Sequence, residues 1–391
     1  MAKRVGMEVS IAISETVAQA NVDVVAAYPI TPQTHIVEHL ADLVANGELD
    51  AEYIPVESEH SAMSACLGSA ASGARTFTAT AGQGLELMHE VVYVASSMRL
   101  PIIMTVVNRA LSSPLSVWGD HSDAMSVRDT GWIQIFAENG QDAIDNVICA
   151  FRIGEDKRVL LPVMVHLDGF HLSHMIEPIY LFEQEEVNEF LPQNNYPLPL
   201  NPAKPVSMGD FGPPVIYSES KWSQEVNLRA SKDVILECWQ EFDKKFKRSY
   251  SPVECYKAED AEVLLLTMGS YSETAMVAID KMRAEGKDVG LLKLRLWRPF
   301  PFDEIRKAVK KAKVLIVLDR ALSFGGPGGP VCSEIKAALY NEADKPKIVS
   351  FVGGLGGRDI NVTDFEEIIN KGIVISEKGS SKEFEMFGVR E

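Results

Sequence analysis

Short apolar runs alternate with helical segments along nearly the whole chain, and this alternation narrows the possible folds more than any other feature. Residues 22–26, 52–56, 76–80, 101–107 and 160–166 are strand-like, with helical patterns at 9–20, 35–44, 59–72, 84–97 and 143–152. Runs that are apolar on consecutive positions suit strands buried on both faces, as in a parallel sheet covered by helices. The order repeats later, with strands at 262–267, 289–294, 314–319 and 347–352 and helices at 273–285, 302–312, 330–341 and 364–371. The expected class is α/β, with two doubly wound parallel-sheet domains at 1–250 and 255–391. Eight prolines fall between 178 and 214, so about 168–214 reads as a long irregular connection that wraps another part of the protein or a partner. One amphipathic helix is expected after it, at 221–247.

Composition excludes several roles. A net charge of −17 over 391 residues argues against nucleic acid and against an anionic membrane surface as partners. The five cysteines are scattered and form no C-x-x-C pair, so neither a disulfide framework nor an iron–sulfur ligand set is expected, only buried thiols in a reducing compartment. No signal-like segment opens the chain, and no apolar run approaches the roughly 20 residues of a membrane helix. A cytoplasmic location is the expectation.

The candidate chemistry lies where strands give way to helices. In Ala27-Tyr28-Pro29-Ile30-Thr31-Pro32-Gln33-Thr34, two prolines three residues apart stiffen a strand-to-helix loop and hold Thr31 between them. In open α/β sheets the crevice beyond the carboxyl ends of the strands takes the ligand, and this loop lies at such an end. Glu59 follows the second strand at a helix start. For an arbitrary chain it reads first as a helix-start acid beside the cap Ser58, and otherwise as a carboxyl group at the crevice; sequence position alone does not choose. Arg109 follows the strand at 101–107, where a guanidinium suits a ligand carboxylate but also a structural ion pair. Gly82 and Gly84 permit a tight turn close to a ligand.

Other clusters invite metals without requiring them. His35-Ile36-Val37-Glu38-His39 has the form of an inverted zinc-protease motif but no clear third ligand, and reads as a solvated helix face. Gly119-Asp120-His121-Ser122-Asp123 reads as a polar loop capping a helix, and His171 and His174 carry little weight. No metal site is assigned. The glycine runs 324–330 and 353–357 lack the Lys-Ser/Thr of a P-loop and read as closely packed turns.

With Tyr28-Pro29-Ile30-Thr31-Pro32, Glu57-Ser58-Glu59-His60, Asn108-Arg109-Ala110-Leu111-Ser112, Arg128-Asp129-Thr130-Gly131-Trp132 and Leu296-Trp297-Arg298-Pro299-Phe300-Pro301 in order, the chain resembles the alpha subunit of pyruvate:ferredoxin oxidoreductase. The resemblance implies that 1–250 is a thiamine-diphosphate pyrimidine-binding domain and 255–391 a transketolase C-terminal-like domain. It makes Glu59 the catalytic carboxyl group at the pyrimidine N1′, Thr31 and Arg109 the ligands of a 2-oxoacid carboxylate, and Tyr28, Pro29, Ile30 and Gly82 further cofactor-binding residues. The family's Gly-Asp-Gly motif for diphosphate and Mg²⁺ is missing here, as are iron–sulfur cysteines. Partner subunits are therefore expected to hold the diphosphate, the Mg²⁺ and the [4Fe-4S] clusters, with CoA as co-substrate and ferredoxin as acceptor. Alternatives are a branched-chain or aryl 2-oxoacid, another electron acceptor, or a non-catalytic assembly subunit. A dinucleotide site is disfavoured, because the first strand-to-helix turn is Pro-rich where that motif needs glycines.

Overall fold

The computed structural model describes residues 4–390. Its larger sheet has seven strands in the order Leu296–Arg298, Ile133–Phe136, Val163–Asp168, Ile102–Asn108, Thr76–Thr80, Val24–Ala27 and Glu52–Pro55. All neighbours are parallel except the first pair, which is antiparallel. Every residue of Thr76–Thr80, Ile102–Asn108 and Val163–Asp168 is buried, as consecutive apolar positions lead one to expect. The strand order reverses between Val24–Ala27 and Thr76–Thr80, and the crevice for a ligand opens there.

The second sheet has six strands in the order Glu385–Met386, Lys347–Val352, Val314–Asp319, Val263–Thr267, Val289–Leu294 and Val253–Tyr256. Its edge strand Val253–Tyr256 is antiparallel to Val289–Leu294. Its order reverses between Val263–Thr267 and Val314–Asp319. The α/β architecture is as expected, but the sheets are mixed rather than wholly parallel. The three-residue strand Leu296–Arg298 also leaves the second unit to close the edge of the first sheet against Ile133–Phe136. An edge strand covered this way is shielded from pairing with another chain.

The Pro-rich connection is more ordered than its prolines suggest. Ile176–Tyr180 pairs antiparallel with Arg4–Glu8, because Pro178 sits in a two-stranded ribbon that tolerates a missing donor. Gln184–Phe190 is a helix started by a Glu183/Glu186 capping box. Only beyond it does the chain turn irregular and wrap the first unit: Arg75 donates to the Pro192 carbonyl (2.6 Å), Asn194 to Gly73 (3.0 Å) and the Leu200 amide to Ala71 (2.7 Å). The long helix runs Pro214–Phe246, starting earlier than expected because proline is well placed in a first helical turn. Its buried face, including Leu228, Ile235 and Phe242, packs on the first unit, and Trp239 Nε1 donates to Asn146 (3.0 Å). No described helix is long and apolar enough to cross a membrane.

Candidate active site

The first turn of the short helix Gly82–Leu87, Ala81-Gly82-Gln83-Gly84, organises the crevice. A Cβ on Gly84 would lie 2.5 Å from Glu59 Oε1 and 2.6 Å from Thr80 Oγ1. A Cβ on Gly82, whose φ is +44°, would press on the Arg109 side chain at 3.1 Å. The two glycines thus make room for an acid on one side of the turn and a base on the other. Glu59 opens the helix Glu59–Ala71 behind the cap Ser58, whose hydroxyl accepts from the Ser61 amide. The carboxyl is buried, yet no described side chain bonds it, and burial raises its pKa above the ordinary carboxyl range. Beside it the Thr80 hydroxyl is buried without a hydrogen-bond partner among the described residues.

Arg109 is fixed by carbonyls rather than by a carboxylate. Its Nη1 donates to the Thr31 carbonyl (3.0 Å) and its Nε to that of Ser116 (2.9 Å), while Nη2 bonds no described residue. Burial lowers its pKa and Asp123 raises it. Gln33, fully buried, holds the Pro-rich loop in place by donating to Tyr28 O (3.1 Å) and Ala79 O (2.8 Å). Thr31 and Tyr28 are exposed, Pro29 is exposed and Ile30 is half-buried. Thr31, Gly82 and Arg109 therefore meet, and Glu59 stands across the turn from them.

Sequence reasoning missed the residue that joins these parts. Asp123 is completely buried, and one of its oxygens accepts the amides of Gly82 (3.0 Å) and Arg109 (2.9 Å). The other accepts Asn108 Nδ2 (2.8 Å) and the Ala124 amide (2.7 Å). Burial pushes this carboxyl up to about 7 against the pull of those donors. Its only signal was the polar loop before a short helix, now Ser122–Ser126. In that loop Asp120 accepts from Ser122 (2.9 Å), and His121 points to Asp168 (3.0 Å).

Asp168, at the end of its strand, is where the two units lock. Its Oδ2 accepts the amide (2.8 Å) and hydroxyl (2.6 Å) of Ser270, and its Oδ1 accepts from His121 and Arg320. Arg320 also donates to the Gly119 carbonyl (3.0 Å) and lies over the Tyr271 ring. Burial pushes Asp168 up, but Arg320 and His121 together hold it well below the usual carboxylate range. The glycine run 353–357 packs here: the Gly356 amide meets Asp120 (3.0 Å), and a Cβ on Gly357 would strike Trp118 at 2.5 Å. In the other run, a Cβ on Gly329 would lie 2.0 Å from Asp319, which accepts the Val331 and Cys332 amides.

Two of the motifs singled out above lie away from the crevice and meet each other. Arg298 donates to the Arg128 carbonyl (3.0 Å) and to Glu334 (2.7 Å), lining a cavity of about 940 Å³ between the units. Four cysteines are buried and Cys255, on the edge strand Val253–Tyr256, is exposed; all five are free. The two histidines of the inverted motif part company, His35 meeting Glu8 (2.6 Å) and His39 meeting Glu15 (2.7 Å).

The chain shares its two-unit α/β fold with solved structures of a 2-oxoacid oxidoreductase and a transketolase. A 2-oxoglutarate:ferredoxin oxidoreductase from Magnetococcus marinus superposes with a TM-score of 0.70 at 20% identity, over 96% of this chain and 65% of that one. A split-gene transketolase superposes with a TM-score of 0.57 at 10% identity, over 95% of this chain and 100% of that one. Both likenesses concern the fold. The chain belongs to the pyruvate flavodoxin/ferredoxin oxidoreductase family: residues 15–238 match its thiamine-diphosphate-binding domain and 261–365 match core domain II of pyruvate:ferredoxin oxidoreductase. It is 49% identical to the pyruvate synthase subunit PorA of Pyrococcus furiosus over 88% of this chain and 87% of that protein. The PorA of Methanocaldococcus jannaschii is also 49% identical, over 92% of each. The ketoisovalerate oxidoreductase subunit VorA of Pyrococcus horikoshii is 44% identical, over 95% of this chain and 94% of that protein.

Proposed function

We propose that this chain is the alpha subunit of a pyruvate-type 2-oxoacid:ferredoxin oxidoreductase, supplying one half of a thiamine-diphosphate site and the ligands of the substrate carboxylate. Residues 1–250 form the pyrimidine-binding domain and 255–391 the transketolase C-terminal-like domain. The observation that carries this reading is Glu59. Buried polar groups almost always have partners, and Glu59 is a buried carboxyl that no described side chain bonds, its only aid from the protein being a backbone amide, as a group reserved for a ligand would be.

The residues fit the pyrimidine half of the cofactor. Gly84 leaves beside Glu59 a space that any side chain would fill, and Thr80 offers an unpaired hydroxyl at its edge. Burial helps Glu59 hold a proton at the pyrimidine N1′, with Tyr28, Pro29, Ile30 and Gly82 as the surrounding walls. When bound, thiamine diphosphate supplies the electron sink that lets a 2-oxoacid lose CO₂. Arg109 keeps Nη2 for the substrate carboxylate while its other nitrogens are tied to Thr31 and Ser116, so the guanidinium is oriented before substrate arrives. Thr31 adds its hydroxyl. The loop between Arg109 and Asp123, with Leu115 and Trp118 exposed, forms the wall that distinguishes one 2-oxoacid from another.

The other half of the site belongs to partner subunits, which bind the diphosphate and Mg²⁺ and carry the [4Fe-4S] clusters that pass electrons to ferredoxin, while CoA accepts the acyl group. An apolar surface suited to such a partner is present: Phe211, Val215, Tyr217 and Trp222 are all exposed where the connection enters the long helix. The deciding experiment is anaerobic purification with the native partners, then assay of a 2-oxoacid panel with CoA and a low-potential dye. CoA-dependent dye reduction with pyruvate is the expected result. Activity with 2-ketoisovalerate alone would keep the chemistry and change the substrate. No activity in a complex holding thiamine diphosphate and intact clusters would refute the reading.

A further inference from the structure

Three segments distant in sequence bring a carboxylate and two imidazoles together beside the Thr31–Pro32 loop. Glu8 ends the strand Arg4–Glu8, His35 lies in the first turn of the helix Thr34–Ala45, and His174 lies in the turn after Asp168. One ligand atom from each falls within 4.8 Å of the other two. His35 Nδ1 is 2.6 Å from Glu8 Oε1, and the two imidazole rings are 4.6 Å apart between centroids. We propose that Glu8, His35 and His174 bind a divalent cation of the zinc class, which clamps these three segments to one another.

The surroundings suit a metal better than a simple ion pair. A pair would need His35 and Glu8 alone, yet His174 is held in place as a third member. Its Nδ1 bonds the Ser173 hydroxyl (2.7 Å), which in turn accepts the Phe170 amide (3.0 Å), and the Phe170 ring packs on it at 4.6 Å. Phe170 holds a φ of +61°, unusual for a bulky residue, in the turn that presents His174. Orientation of a ligand imidazole through its other nitrogen is typical of metal sites. Two nitrogens and one oxygen select zinc-like ions over Mg²⁺ or Ca²⁺ and leave a fourth position for water. The cation would take the place of the His35–Glu8 hydrogen bond, with the side chains rotating to reach the roughly 2 Å metal distances. The clamp would steady the active-site loop: His35 follows Thr31 by four residues, and a Cβ on Gly169 would stand 2.7 Å from Pro32.

The test is titration of the chelator-stripped full chain with Zn²⁺ by calorimetry, alongside melting curves with and without Zn²⁺. One equivalent should bind and raise the melting temperature. His174→Ala and Glu8→Gln should each weaken binding about tenfold or more. His39→Ala, which removes the neighbouring histidine paired with Glu15, should leave binding unchanged. Absence of a one-equivalent site, equal affinity in the folded Glu8→Gln and His174→Ala proteins, or loss of binding in His39→Ala would overturn the proposal. None of these readouts depends on turnover, so they stand apart from the test of the catalytic reading.

Discussion

The two sheets each reverse strand order and so each form a crevice beyond the carboxyl ends of their strands, but they use it differently. In the first, between Val24–Ala27 and Thr76–Thr80, Glu59 has no side-chain partner and Arg109 keeps one nitrogen unbonded, both among the described residues. In the second, between Val263–Thr267 and Val314–Asp319, Ser270 and Arg320 converge on Asp168 of the first unit. A ligand-type crevice has there become a socket for the protein itself. The lesson is that a carboxyl and a guanidinium left without side-chain partners, more than the crevice alone, mark the site: the same topology with Asp168 met by Ser270, His121 and Arg320 is a joint, although the Arg320 Nε itself stays unbonded to the described residues.

The sharpest way to break this contrast is Glu59→Gln in the assembled complex. Loss of the proton donor at N1′ should lower turnover by about 10²- to 10⁴-fold with assembly unchanged. Near-normal steady-state rates would end the catalytic assignment. The matching change at the joint acts on stability instead. Asp168→Ala strands the buried Arg320 guanidinium, and urea unfolding should show a loss of about 3–5 kcal/mol.

The joint also has a pH signature. Because the folded-state pKa of Asp168 is depressed, its contribution is present above the unfolded value near 4 and lost as pH falls through the lower folded value. The stability gap between wild type and Asp168→Asn should therefore be constant from pH 5 to 7 and narrow in more acidic solution. A gap indifferent to acid down to the point of unfolding would deny the charge its role. Next in size is Arg109→Ala, which removes a charge-assisted pair worth about 1.5–3 kcal/mol and should appear mainly as a raised KM for the 2-oxoacid. An unchanged KM would leave Arg109 a strut for Thr31 and Ser116 alone.

How much of this was legible in the sequence follows from the range of each interaction. The long buried strands were readable because consecutive apolar positions carry a local signal. Thr31, Glu59 and Arg109 stood out because each lies just past a strand, a position the local pattern reveals. Asp123, Asp168 and Arg320 did not, since Arg320 meets Asp168 across 152 positions and no local pattern announces the contact. Leu296–Arg298 and Ile133–Phe136 have three and four residues, too few for a period to show. Helical spacing set His35 and His39 one turn apart on what reads as a solvated face, but a strand residue, Glu8, and a helix residue, Glu15, supplied their actual neighbours. The motifs around Arg128 and Arg298 looked as if they belonged with the others and instead bind one another between the units.

The smallest effect decides between the two readings of Glu59 that the sequence left open. As a helix-start acid it would be stabilising when charged, by about 0.3–1 kcal/mol, and Glu59→Gln would weaken the fold at neutral pH. As a buried group awaiting a ligand its folded-state pKa is raised, so its contribution is fully present below the unfolded value and lost as pH rises through the folded one. On that account the uncharged glutamine avoids a penalty that the carboxylate suffers in neutral solution. Melting of the full chain without cofactor should then find Glu59→Gln more stable than wild type at pH 8, with the advantage fading toward pH 4. A residue whose removal strengthens the fold while abolishing turnover is held there for chemistry, whereas destabilisation at pH 8 would return Glu59 to the role of a helix-start acid.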